Sequence, residues 1–370
     1  MTYQPPLRDD LRGVTPYGAP QIDVPVRLNT NENPFPPSDA LARAIGDAIA
    51  EAARSLNRYP DREAWALREA LADYLRREAG IDVPPTGIWP ANGSNEVMEH
   101  IFGAFGGPGR TALTFSPTYS MYEQYARDSS TRFVSVRRNP DFSLDATTAV
   151  AAILGGSPDI VVLASPNNPT GTALPLEVVT AVCAVSTGVV VVDEAYAEFR
   201  RPGTPSALVL QDANPNLIVT RTMSKAFALA GARVGYAIAH PAVIDALRVV
   251  RLPYHLSTTT QVAATVALAH ADELLGQVDV LRRERDDLVA WLRQEGLAVV
   301  DSDANFILFG HFADRRRAWE ALLDRGVLVR EVGPEGWLRV TVGSPDDNDA
   351  FRTALADVMS EQGMMSDAEG

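Results

Sequence analysis

Two hydrophobic periods alternate along the middle of this chain. Continuous apolar runs at 111–115, 159–164, 188–192 and 216–220 are dominated by Val, Ile and Leu. Unbroken runs of this kind mark parallel strands covered by helices on both faces. Elsewhere the apolar positions recur every three or four residues. Leu41, Ala44, Ile45, Ala48 and Ile49 follow Ser38, a suitable N-cap, and Trp65, Leu67, Leu71, Tyr74 and Leu75 predict a second helix over 64–77. The segment 176–185, apolar and free of Gly and Pro, predicts a helical crossover between the second and third runs. Alternation continues to about residue 252, which predicts a large α/β domain built on a mostly parallel, doubly wound sheet.

After that point the pattern changes. Residues 263–296 read as largely helical, with 282–287 a solvated charged face, and 305–309, 326–331 and 337–342 read as strands with helices between and after them. This is the signature of a smaller α+β lobe. The first 37 residues are rich in proline and poor in period, and read as an arm lying over other structure. Residues 359–370, polar and acidic, read as a flexible tail. The domains expected are therefore an arm over 1–37, a large domain over 38–262, a small domain over 263–358, and the tail.

Composition narrows the classes of function. The 370 residues are 46% hydrophobic, enough for a large core and a second lobe, and carry a net charge of −14. That charge argues against nucleic acid or an anionic membrane as partner, so an anionic substrate needs a local basic pocket. Cys183 is the single cysteine and reads as a core thiol; it and the five histidines show no zinc-like spacing, so no metal is expected. Pro5, Pro6, Arg8, Asp9 and Asp10 stand where a signal peptide needs an apolar core, and no apolar run approaches membrane-spanning length. A cytoplasmic protein is expected.

The candidate chemistry lies just past the strand ends, where ligands gather in such sheets. Lys225 follows the run 216–220 in Thr222-Met223-Ser224-Lys225, among hydroxyls and eight positions before Arg233. Neighbouring cations or desolvation make a lysine nucleophilic near neutral pH, as a Schiff-base lysine must be; the alternative is a solvated surface lysine. Asn168 and Asp193 follow the two preceding runs, with Tyr196 three residues further on. Asp193 at the end of four valines needs a cationic partner unless it is solvated. Asn168 also fits turn chemistry, and Tyr196 fits simple packing. Gly93-Ser94-Asn95 precede a helical run over 96–105, and serve either as an anion cradle at a helix N-terminus or as an ordinary cap. A second glycine cluster, Gly106-Gly107-Pro108-Gly109, lacks dinucleotide-loop spacing and reads as a turn into the strand at 111.

In order along the chain, these motifs resemble the aspartate-aminotransferase-like, pyridoxal-phosphate-dependent enzymes, and within them the histidinol-phosphate branch. The matching segments are Val14-Thr15-Pro16-Tyr17, Asn29-Thr30-Asn31-Glu32-Asn33-Pro34, Asn57-Arg58-Tyr59-Pro60, Asn92 to Glu96 and Ser116-Pro117-Thr118-Tyr119-Ser120-Met121-Tyr122. They continue through Ser165-Pro166-Asn167-Asn168-Pro169-Thr170-Gly171, Asp193-Glu194-Ala195-Tyr196, residues 222–233 and residues 338–343, so the resemblance spans nearly the whole chain. It implies a fold type I large domain with the arm joined to the small one, and the cofactor pyridoxal 5'-phosphate on Lys225. It further implies Asp193 on the ring nitrogen, Asn168 and Tyr196 on the phenolic oxygen, and Tyr119 stacked on the ring. The phosphate falls to Gly93, Ser94, Asn95, Thr222, Ser224 and Arg233, with Tyr59 reaching it from the other subunit of a homodimer with shared active sites. Tyr17, Asn31, Arg330 and Arg339 are the substrate-binding positions implied. The reaction implied is amino transfer between L-histidinol phosphate and 2-oxoglutarate, giving imidazole acetol phosphate and glutamate, a step of histidine biosynthesis. Three other readings stay open: an aromatic amino-acid aminotransferase, a decarboxylase of a phosphorylated amino acid, and a cofactor-binding regulator, for whose DNA-binding domain no residues are left over.

Spacing alone makes one further prediction. A four-residue loop, Gly333-Pro334-Glu335-Gly336, pairs Val332 with Trp337 and therefore Arg330 with Arg339. Two like charges directly opposite are destabilising unless they are solvated or share a bound anion.

Overall fold

A computed structural model describes residue 3 and residues 5–362. Twelve strands occur in it: β1 Val26–Arg27, β2 Ile88–Ala91, β3 Thr111–Ser116, β4 Arg132–Arg137, β5 Ile160–Ala164, β6 Val189–Asp193, β7 Leu217–Thr222, β8 Gly235–Ala239, β9 Ala298–Val299, β10 Phe306–Gly310, β11 Val327–Leu328 and β12 Leu338–Thr341. The helices are α1 Asp39–Ala53, α2 Trp65–Ala79, α3 Gly93–Phe105, α4 Met121–Asp128, α5 Ala146–Gly156, α6 Leu176–Val185, α7 Pro241–Val250, α8 Thr258–Ala269, α9 Ala271–Gln294, α10 Arg315–Asp324 and α11 Pro345–Gln362.

The central sheet has the order β2-β8-β7-β6-β5-β3-β4. β8 runs antiparallel to both its neighbours, and the pairs from β7 to β4 are parallel. The runs of β5, β6 and β7 are buried along their whole length, and their alternate residues feed two separate cores. Val190 and Val192 join the larger core with α2, α5 and α6, whereas Val189 and Val191 join the smaller one with α3, α4 and α7. The period of two then sets the chemistry: Asp193 continues the Val189–Val191 face and points toward α4, and Arg221 of β7 points to the opposite face. There Arg221 is held by Glu194 at 3.0 Å and Glu78 at 2.8 Å, a buried network that fixes the residue following Asp193.

Several boundaries differ from the sequence reading. The helix expected over 96–105 begins at Gly93, so the three candidate phosphate residues form its first turn instead of preceding it. The helix expected over 263–296 is two helices, broken at His270, whose ring Nδ1 lies 3.0 Å from the Val266 carbonyl. The strand expected over 326–331 is reduced to Val327–Leu328, because its partner is the arm strand β1, in parallel. α11 runs on to Gln362, past the expected start of the tail at 359; residues 363–370 lie outside the described residues. β10 and β12 pair antiparallel, and the arm lies against them through the Asn31 amide, which donates to Thr341 Oγ1 at 3.0 Å. Among the described residues no helix is long and apolar enough to cross a membrane, and no cluster of three His, Cys, Asp or Glu is placed to hold a metal.

Candidate active site

One pocket, of about 270 Å³, opens at the carboxyl ends of the parallel strands. Of the residues singled out by sequence, Tyr17, Asn31, Ser94, Asn95, Tyr119, Asn168, Asp193, Tyr196, Thr222, Ser224, Lys225, Arg233, Arg330 and Arg339 all line it. Two do not. Gly93 forms the floor beneath Arg233: its φ of +80° favours glycine, and a Cβ there would sit 2.5 Å from Arg233 Nη2 and push the guanidinium aside. Tyr59 is 79% exposed and stacks on Tyr254 with ring centroids 4.4 Å apart, away from the pocket of its own chain.

Lys225 is half-buried, and its Nζ donates to the Thr30 carbonyl at 2.9 Å. Burial, then the guanidinium of Arg339, lowers its pKa to about 8, with Arg233 adding to the effect and Glu32 opposing it. A solvated surface lysine shows none of this. Asp193 is buried; Tyr122 Oη donates to one carboxylate oxygen at 2.8 Å and Thr220 Oγ1 to the other at 3.1 Å. Burial raises its pKa, and the two hydrogen bonds hold it down only in part. A carboxylate in that position gains from a cationic donor brought to it.

Above the strand ends lies a set of donors suited to an oxyanion. The first turn of α3 presents Ser94 and Asn95 with free backbone N–H groups at the positive end of the helix. Thr222 Oγ1 and Ser224 Oγ lie 3.0 Å apart, and Arg233 Nη1 donates to Ser224 Oγ at 3.2 Å. A Cβ on Gly235 would come within 2.2 Å of the Ser94 nitrogen, so β8 and α3 are in direct backbone contact at the cradle.

On the other side, Tyr196 Oη accepts from Asn31 Nδ2 at 3.0 Å and from Asn168 Nδ2 at 3.4 Å. The expected hairpin register holds: Arg330 and Arg339 exchange backbone hydrogen bonds of 2.9 Å in both directions. Arg339 is buried, donating from Nη1 to Asn168 Oδ1 at 2.7 Å and from Nη2 to the Asn29 carbonyl at 2.8 Å, with its Nε left without a partner among the described residues. Burial lowers its pKa to about 10, and Arg330 adds to the shift.

Sequence reading overlooked two groups here, Tyr122 and Thr220. Tyr122, three positions after Tyr119, reads as core in the sequence, and Thr220 is brought beside Asp193 by the register of β7 on β6, which local spacing does not give.

A nucleophilic amine, a cationic oxyanion cradle and a buried carboxylate in one pocket are the equipment for exchanging amines with a phosphorylated aldehyde. Comparison makes the family particular. The profile of aminotransferase class I and II matches residues 23–355, and the chain belongs to that family. It is 63% identical to the histidinol-phosphate aminotransferase of Thermobifida fusca over 350 residues, covering 95% of this chain and 94% of that one. Among solved structures it resembles the Sinorhizobium meliloti histidinol-phosphate aminotransferase in complex with pyridoxal-5'-phosphate, with a TM-score of 0.81, 27% identity and 91% of each chain covered. A Thermus thermophilus aspartate aminotransferase mutant matches with the same TM-score of 0.81 and 27% identity, over 95% of this chain and 99% of that one. The fold is thus shared between substrates, and the discrimination lies in the sequence and the pocket.

Proposed function

We propose that this chain is a pyridoxal-phosphate-dependent transaminase that passes the amino group of L-histidinol phosphate to 2-oxoglutarate, in histidine biosynthesis in the cytoplasm. The donor set fits the cofactor: Ser94, Asn95, Thr222, Ser224 and Arg233 would receive its phosphate, Asp193 would face its ring nitrogen, Asn168 and Tyr196 its phenolic oxygen, and Tyr119 its ring face. When bound, pyridoxal phosphate supplies an electron sink for negative charge developing beside the substrate nitrogen. Asp193 would keep a proton on the ring nitrogen: the hydrogen bonds from Tyr122 and Thr220 favour its ionised form, and its burial gives that carboxylate reason to pair with a cation. Lys225, with its pKa near 8, takes the proton from the substrate carbon and returns it on the other side of the transfer. Arg339 and Arg330, with Tyr17 and Asn31, hold the anionic end of whichever substrate is present. Residues 38–262 form the cofactor-holding domain in this reading, and the arm joins residues 263–358.

Tyr59 serves the neighbouring subunit of a homodimer. Its exposure, and its distance from its own pocket, support that role.

The single structural observation that carries the substrate is the arginine pair. Two guanidinium groups sit across one hairpin, one of them buried with an Nε unpartnered among the described residues, an arrangement that an oxyanion stabilises. Arg330→Ala is expected to raise KM for histidinol phosphate by about 10- to 100-fold, the worth of a charge-assisted hydrogen bond, with cofactor affinity unchanged. Truncating Arg339 is expected to impair glutamate as well. Unchanged KM values in both variants would contradict the assignment.

A further inference from the structure

A buried guanidinium needs an anion or a full set of acceptors, because it cannot shed its proton. Among the described residues six arginines are buried: Arg68, Arg138, Arg200, Arg221, Arg285 and Arg339. Four of them have carboxylates beside them, Arg68 by Glu63 at 3.8 Å, Arg200 by Glu194 at 3.6 Å, Arg221 by Glu194 at 3.0 Å and Arg285 by Asp286 at 3.0 Å. Arg339 and Arg138 have none among the described residues. Arg339 lines the pocket described above.

Arg138 directly follows β4 and is 7% exposed. Its Nε donates to the Phe115 carbonyl at 3.2 Å and its Nη1 to the Phe142 carbonyl at 3.4 Å, both long, and Nη2 has no acceptor among the described residues. Burial lowers its pKa to about 10, and no acid opposes the shift; only the phenol of Tyr122 does. The side chain lines a groove of about 650 Å³ that shares Thr118, Tyr119, Ser120 and Val332 with the catalytic pocket. Arg137 lines it too, and Glu123 is the single acid on its wall.

We propose that this groove is a second oxyanion site, in which Arg138 binds the carboxylate or phosphate of a small molecule beside the mouth of the catalytic pocket. No carboxylate among the described residues lies beside Arg138 or Arg339, and both arginines line cavities.

The test uses the holoenzyme saturated with cofactor, so that the cofactor's own cradle is filled, and titrates it with inorganic phosphate and separately with acetate. Binding is followed by calorimetry and by the rise in Tm. The variants are Arg138→Met, Arg138→Gln, which keeps a donor for the carbonyls while removing the charge, and Arg330→Ala, which weakens the catalytic pocket's own anion site. Phosphate binding is expected to persist in Arg330→Ala, and to weaken by about tenfold or more when either Arg138 substitution is added to that variant. Arg138→Met is expected to melt above the wild type when no anion is present, since an unpaired buried cation is gone. If acetate acts as phosphate does, the ligand is a carboxylate; if phosphate acts alone, it is a phosphate. Arg138→Gln added to Arg330→Ala and binding phosphate as tightly as Arg330→Ala alone would overturn the proposal, as would loss of all phosphate binding in Arg330→Ala. Should Arg138→Met fail to fold, the Arg138→Gln titration decides by the same criterion.

Discussion

Replacing Lys225 with methionine should make the cofactor-free protein more stable while abolishing transamination. Methionine matches the length of the lysine stem and removes the charge. In the folded protein the pKa of Lys225 is lowered from 10.5 to about 8, which corresponds to about 3 kcal/mol. Below pH 8 the lysine is protonated in both folded and unfolded chains, and the whole of that penalty falls on the folded state. Between 8 and 10.5 only the unfolded chain holds the proton, so the penalty shrinks as pH rises, and above 10.5 it is gone. The variant also loses the 2.9 Å hydrogen bond to the Thr30 carbonyl, which costs about 1 kcal/mol. The net expectation is a gain of about 2 kcal/mol at pH 7, declining through zero as the pH approaches 10.5. Denaturant unfolding of the two cofactor-free proteins at pH 7 and pH 10, at one protomer concentration, measures it. A difference that is independent of pH, or a variant less stable at pH 7, would refute the claim that the site holds this amine at an energetic cost. The cost is the kind that active sites retain for function.

Two further outcomes follow from the same geometry. Asp193→Asn keeps the shape, leaves one oxygen to accept from Tyr122 or Thr220, and removes the charge proposed to hold a ring-nitrogen proton, so kcat is expected to fall by about 100-fold or more; steady-state kinetics with unaltered kcat would remove Asp193 from that role. For Tyr59, mixing an inactive Lys225→Ala chain with an inactive Tyr59→Ala chain is expected to restore activity in hybrid dimers, and no recovery after demonstrated subunit exchange would count against a shared site.

How much of this was legible in the sequence depended on the range of the forces involved. The runs that became β5 and β6 were readable to within a residue or so, because a strand buried on both faces has to be apolar throughout. The residues at their ends were readable for the same reason, since a polar side chain closing such a run stands out. The Arg330–Arg339 pairing was also legible, being fixed by a four-residue loop. The arm strand β1 was not. It is two residues long and its partner β11 lies three hundred positions away, so no local period announces it. The break at His270 carries neither Gly nor Pro, and it comes instead from the packing of α8 against α1 and α2 while α9 turns toward β9 and β10. Tyr122 was hidden by its apolar look: an aromatic at helical spacing reads as core, and it is core, with only its hydroxyl engaged in the site.

The central claim, that Lys225 and its surroundings exchange amino groups between histidinol phosphate and a keto acid, is tested most directly by a half-reaction. The purified holoenzyme, yellow from its bound cofactor, is mixed with histidinol phosphate alone, and in parallel with glutamate, phenylalanine and aspartate, while the visible absorbance is followed. The account predicts that histidinol phosphate and glutamate each bleach it within the turnover time, that 2-oxoglutarate restores the colour after histidinol phosphate, and that phenylalanine and aspartate act far more slowly. An enzyme bleached by phenylalanine or aspartate and untouched by histidinol phosphate would contradict it.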